Sequence, residues 1–145
     1  MSEQNTDQNM ALASGISAFE AKQFTRAIQL LSPLADQGNP EAQFRMAIMA
    51  QIGLGMLKNC AKAVDWMQAS ADQGHPLAQH GLGFMYFQGE CTKKDSAEAV
   101  KWFKRAAEQG MAGSRATLAM MYEQGLGVER NEVEARKWHQ PADKA

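Results

Sequence analysis

Ala35-Asp36-Gln37-Gly38, Ala71-Asp72-Gln73-Gly74 and Ala107-Glu108-Gln109-Gly110 are one phrase written three times. Their glycines stand 36 residues apart at 38, 74 and 110, with no insertion or deletion between copies. A fixed period of this length marks a repeat architecture and outranks any local signal. A glycine that follows an apolar-periodic run reads as the residue just past a helix end, in the left-handed conformation. Each copy of the phrase therefore closes a helix.

What flanks the phrase repeats too. Asn39-Pro40 and His75-Pro76 follow the first two glycines, each an opening with Pro at the first helical position. The helices that start at Pro40, Pro76 and Ala112 are expected to end at Gly53, Gly89 and Gly125. A short loop holding Gly55, Cys91 or Gly127 comes next, and a second helix begins after Asn59, Asp95 or Asn131, all good N-caps. Asp95 with Glu98, and Asn131 with Glu134, have the spacing of a capping box. Upstream, Leu12 to Glu20 carries Leu12, Ile16 and Phe19 at helical spacing, and Gln23 to Ala35 carries Phe24, Ala27, Ile28, Leu31 and Leu34 on one side. These two form a first helical hairpin.

The resulting plan is a disordered tail over residues 1–9 and one helical-repeat domain over 10–145, divided as 10–38, 39–74, 75–110 and 111–145. The last copy is truncated, because Pro141 falls inside the corresponding helix. That leaves Leu118, Tyr122 and Trp138 with no further helix to cover them, an open edge. The core reads as large and small residues in alternation. Ala47, Gly83 and Ala119 on the first helices, and Ala63, Ala99 and Ala135 on the second, would let paired helices approach, while Met46, Leu82 and Leu118 and the tryptophans at 66, 102 and 138 fill the space beside them.

From Ala78 to Gly110 the chain reads AQHGLGFMYFQGECTKKDSAEAVKWFKRAAEQG, and from Ser114 to Trp138 it reads SRATLAMMYEQGLGVERNEVEARKW. These stretches resemble the Sel-one-like repeat family, a branch of the tetratricopeptide-like α/α solenoids. The copy from Ala42 to Gly74 is looser: Ala50 stands where Tyr is usual, and in the middle copy Cys91 replaces the second loop glycine. The resemblance implies an all-α fold, a right-handed α/α superhelix of antiparallel helix hairpins, and a role in protein–protein scaffolding. Residues 12–38 look like a tetratricopeptide-type first hairpin with a shorter loop.

Composition narrows the classes further. Fifteen Lys and Arg against sixteen Asp and Glu give no global field that would draw nucleic acid or anionic lipid. Residues 1–9 are polar and lack the basic and apolar regions of a secretory leader, and no apolar run approaches the ~18–20 residues that span a bilayer. A soluble, cytoplasmic protein of bacterial type is expected, without membrane insertion. Cys60 and Cys91 occupy different places in the repeat, since their counterparts one period on are Ser96 and Gly127. They are expected to be reduced, spare thiols.

No catalytic constellation is legible. His75, His80 and His139 have no Asp, Glu or Cys at converging ligand spacing, so no metal and no cofactor is expected, and His75 reads as a capping residue. Gly53-Leu54-Gly55 and Gly125-Leu126-Gly127 superficially suggest a phosphate loop, but a helix rather than a strand precedes each. The chain is read as not an enzyme; a hydrolase using His80 or Cys91 is the remote alternative.

Function is instead looked for on the first helix of each hairpin, which lines the concave face in tetratricopeptide-like solenoids. Off the core positions that helix presents Leu12, Ile16 and Phe19, then Phe44, Ile48, Gln51 and Ile52, then His80, Phe84, Phe87 and Gln88, then Ala116, Met120, Glu123 and Gln124. Met49, Met85 and Met121 recur beside this face as adaptable surface. Two readings stand: the side chains pack on one another in a tightly curved solenoid, or the apolar stripe is an interaction site. The second favours an adaptor that holds a peptide or amphipathic helix of another protein. An inhibitor or immunity-type protein masking an enzyme is the alternative, and a homodimer through the groove or the open edge is a further expectation.

Overall fold

The computed structural model describes residues 2–140, with side chains from residue 5 onward. Among them the chain forms eight helices: α1 Ser2–Glu20, α2 Phe24–Asp36, α3 Pro40–Ile52, α4 Cys60–Asp72, α5 Pro76–Gln88, α6 Ser96–Glu108, α7 Ala112–Gln124 and α8 Glu132–His139. They group into two compact units, residues 1–73 and 74–145. In the first, α1 packs on α2, α2 on α3 and α3 on α4; in the second, α5 packs on α6, α6 on α7 and α7 on α8.

The repeated phrase does close helices. Gly38, Gly74 and Gly110 have φ of 98°, 92° and 89°. At the first of them the Asn39 N–H turns back to the Leu34 carbonyl at 3.0 Å, which satisfies one of the carbonyls that a helix end leaves unpaired. The new helix is capped at once, because Asn39 Oδ1 accepts from the Ala42 N–H at 3.0 Å, and His75 does the same job through Nδ1, 3.2 Å from the Ala78 nitrogen. Asn59, Asp95 and Asn131 cap the second helices through the N–H groups of Lys62, Glu98 and Glu134. Their own N–H groups reach back to the carbonyls of Ala50, Tyr86 and Tyr122 at 2.8 to 2.9 Å. Each loop is thus tied at both ends.

The phrase's glutamine has a task that its sequence did not announce. Gln73 Nε2 donates to Gln43 Oε1, and Gln109 Nε2 to Gln79 Oε1, both at 2.8 Å, and the two acceptors are buried side chains. In each pair the end of a second helix is fastened to the start of the first helix of the same copy.

Burial follows the expected alternation. Ala47, Ala63, Ala99, Ala119 and Ala135 are at most 2% exposed, and Gly83 is buried with them. The first unit's core gathers Ala27, Leu31, Leu34, Ala42, Met46 and Met49; the second's gathers Ala99, Phe103, Ala107, Leu118, Met121 and Trp138.

Four expectations are corrected. Helix α1 begins at Ser2, so residues 2–9 are helical rather than a disordered tail, and Gln8 Nε2 donates to Gln37 Oε1 at 3.0 Å. Met49, Met85 and Met121 are 0%, 1% and 0% exposed: they are core, because their position on the helix turns them toward the partner helix. Of the three residues expected at an open C-terminal edge, Leu118 and Trp138 are covered, at 0% and 4% exposure, and Tyr122 is half-buried. Helix α8 is short, as expected, with eight residues against thirteen in α6, yet Trp138 still reaches the core; Pro141 lies outside the described residues. Finally, Cys60 and Cys91 are disulfide-bonded, so neither is a spare thiol.

Candidate functional site

The inner-helix face of the first unit is carried by α1 and α3. Leu12, Ile16, Phe19, Phe44, Ile48 and Gln51 are half-buried, and Ile52 is 61% exposed. Phe19 meets Phe24 edge-on with ring centres 5.7 Å apart. Between the aromatics stands a residue that the apolar pattern passed over: the Arg45 guanidinium lies 5.6 Å from the centre of Phe19 and 5.9 Å from that of Phe44, and pairs with Glu41 at 2.5 Å. The Glu41–Arg45 spacing of four was the legible signal for it. Near the end of α3, Leu57 is 90% exposed where the later copies carry Lys93 and Glu129, which makes Ile52 and Leu57 an apolar departure from their polar counterparts.

In the second unit the structure brings His80, Phe84 and Phe87 of α5 onto one buried ring. Phe103 of α6 is wholly buried, with Phe84 5.0 Å, His80 5.5 Å and Phe87 6.4 Å from it, all edge-to-face. Such contacts add about 0.5–1.5 kcal/mol each beyond area burial. Gly83 makes room for the arrangement, since a Cβ there would stand 2.8 Å from the Phe103 ring. His80 Nδ1 lies 2.6 Å from Ser114 Oγ of α7, and burial holds the imidazole below its ordinary pKa. Burial raises the Tyr86 phenol, helped by the charges of Glu98 and Asp95.

Met120 is half-buried, while Gln88, Ala116, Glu123 and Gln124 are exposed. Glu123 Oε1 is 2.5 Å from His139 Nε2, so it bridges to α8. An open cavity of about 400 Å³ lies beside it, lined by Glu123, Gln124, Arg130, Glu132, Ala135 and Arg136. Among the described residues no three His, Cys, Asp or Glu side chains gather as a metal cluster, and no helix is long and apolar enough to cross a membrane.

Helix pairs repeated at a period of 36, with side-chain caps at Asn39, Asn59, His75, Asp95 and Asn131 and the glutamine clamps in two copies, define an α/α helical-repeat protein of the solenoid class. The Sel1 repeat model matches residues 9–39, 40–75, 76–111 and 116–142, and the chain belongs to the Sel1 repeat family. It is similar to the crystal structure of a Sel1 repeat protein from Oxalobacter formigenes, with 34% identity and a TM-score of 0.85 over 91% of this chain. It is also similar to c5321, a protective antigen of uropathogenic Escherichia coli strains displaying an SLR fold, with 28% identity and a TM-score of 0.88 over 97% of this chain. The chain spans 54% and 31% of the lengths of those two proteins. No curated protein matches it. Sel1 repeat proteins generally mediate protein–protein interaction and are typically non-catalytic scaffolds.

Proposed function

We propose that this chain is a non-enzymatic adaptor that holds a peptide or amphipathic helix of another protein against its inner helices, with Phe84 and Phe87 as the anchors. The observation that carries the reading is their bracing: both rings keep part of their surface in solvent while resting edge-on against the wholly buried Phe103. Aromatic side chains fixed before binding lose little freedom when a partner arrives, which is why such residues dominate interface energetics. His80, Met120 and Glu123 accompany them in the second unit, and in the first unit, taken by itself, Leu12, Ile16, Phe19, Phe44, Ile48 and Ile52 form an apolar face. The compartment is proposed to be an oxidising one in place of the cytoplasm, because both cysteines are disulfide-bonded and such bonds persist where thiols are not kept reduced.

The test is a photo-crosslinking residue at position 87, with a second at Lys104 on the exposed side of α6 as control, followed by identification of the captured protein. A defined partner captured from position 87 and lost when Phe84→Asp is added, with helical circular dichroism unchanged, supports the adaptor. Equal capture from both positions, or capture unaffected by Phe84→Asp, sinks the assignment. Capture of a second copy of the chain would make the face a homodimer contact.

A further inference from the structure

The contact between His80 and Ser114 puts two polar side chains into a joint that is otherwise hydrocarbon. Nδ1 and Oγ are 2.6 Å apart, and Ser114 is wholly buried in the first turn of α7. The imidazole meets Phe84 and Phe103 edge-on at 4.9 and 5.5 Å, and it lies so close under Gly113 that a Cβ there would stand 3.3 Å from its Cε1. The repeat does not require this pair. One period earlier His80 and Ser114 are Phe44 and Ala78, and one period later His80 is Ala116. A histidine has been placed where the architecture is served by an apolar side chain.

A neutral imidazole offers one donor and one acceptor, so it can meet Ser114 through Nδ1 without bringing a charge into this half-buried setting. A protonated ring brings a second N–H and a full charge. What faces it is Phe84 from its own helix, Phe103 from α6, and Gly113 and Ser114 from α7. Helix α5 carries no Asp, Glu, Lys or Arg, and the Tyr86 phenol is influenced by Asp95 and Glu98 instead. Of the charged groups on α7, Arg115 is engaged with the carbonyls at the end of α8 and Glu123 with His139. The depression of the His80 pKa has burial as its cause.

We propose that His80 is a proton-sensitive pin of the α5–α6–α7 joint: neutral, it holds α7 to α5 through Ser114 and fills the space against Phe103, and on taking up a proton it loosens the joint and exposes the aromatic cluster. The linkage has a definite sign. A histidine whose pKa is lowered by folding contributes stability that is complete above the ordinary value of about 6.5 and is lost as pH falls through the interval down to the folded value. The inference stands whether or not the α5 face holds a partner.

The experiment follows the intact chain from about pH 8 to about pH 5, the window in which histidine changes charge. NMR titration of the histidine Cε1–H signals is read beside near-ultraviolet circular dichroism and binding of an apolar dye. The expected result is a His80 midpoint below the ordinary histidine value of about 6.5, with dye binding rising several-fold as that signal titrates. The paired substitution His80→Phe with Ser114→Ala, which copies Phe44 and Ala78, is expected to abolish that rise. A His80 midpoint at or above the ordinary value, or an acid transition unchanged in the paired variant, overturns the proposal. Should the paired variant fail to fold, the wild-type His80 titration and its coincidence with the dye signal decide it.

Discussion

The guanidinium of Arg115 lies 5.3 Å from the centre of the Trp138 ring, and its Nε donates to the Gln140 carbonyl at 3.0 Å. Arg115 takes the place of Gln79 and Gln43 in the earlier copies, where each glutamine receives the amide of Gln109 or Gln73. In the last copy the position of that glutamine is Ala145, outside the described residues, and Arg115 reaches the Gln140 carbonyl after α8 instead. With Lys137 Nζ 4.9 Å from the same ring and the indole N–H donating to Glu134, it seals the edge that the sequence seemed to leave open. Replacing Arg115 by the glutamine of the other copies is expected to cost about 1–2 kcal/mol, the sum of a stacked cation and a hydrogen bond. Arg115→Lys is expected to recover only part, since an ammonium cannot stack and bond in the same plane. Urea unfolding midpoints measure both.

Gly127 and Gly38 separate two costs of the left-handed backbone. Both have positive φ, 73° and 98°, but a Cβ on Gly127 would meet the Ser96 carbonyl oxygen at 2.3 Å, whereas one on Gly38 meets nothing within 4 Å. Gly38→Ala should therefore cost only the conformational strain, about 1–2 kcal/mol. Gly127→Ala is expected to cost clearly more, because the loop must move away from the backbone of α6. Equal losses in thermal unfolding would show that the loop yields freely.

Gly83 and Phe103 are expected to be energetically coupled. One period earlier the same two positions are Ala47 and Met67, both buried to within 2%. Gly83→Ala drives a methyl into the Phe103 ring, and overpacking of this kind costs about 1–3 kcal/mol. Phe103→Met trims the ring and leaves unfilled space beneath His80, Phe84 and Phe87. The double variant restores a pair that the first unit already uses, so its loss should fall short of the sum by about 0.5–3 kcal/mol, the range measured for residues in contact. Strict additivity would mean that the two side chains do not share the space.

Thiol titration of the unreduced protein in denaturant should find no reactive sulfhydryl, and two after reduction, one for each of Cys60 and Cys91. Two thiols in freshly purified, unreduced protein would restore the reading of reduced cysteines and remove the support for an oxidising compartment.

Much of the fold was written locally, and for a physical reason. A helix end needs a glycine that tolerates positive φ, a helix start needs a side chain that can accept from an N–H three residues on, and both demands are met within four residues of chain. The same is true of the core positions: Ala47, Gly83 and Ala119 announce close helix approach by their size and their period. The glutamine clamp is harder to see, because its partner lies 30 residues away. Nor could the methionines at 49, 85 and 121 be placed from the pattern, since neighbouring positions on one helix divide between core and groove by a rotation that only the partner helix defines.

The repeated Ala-Asp-Gln-Gly phrase, the caps and the fixed period determined by themselves that this is an all-α repeat protein, and at which residues its helices end. Only the tertiary structure decided which side chains the helices share. Phe103 becomes a floor under His80, Phe84 and Phe87, and Arg115 meets Trp138 and the end of α8. Those outcomes depend on distances between residues far apart in the chain, and a repeat fixes the period of such contacts without naming the side chain that will meet them.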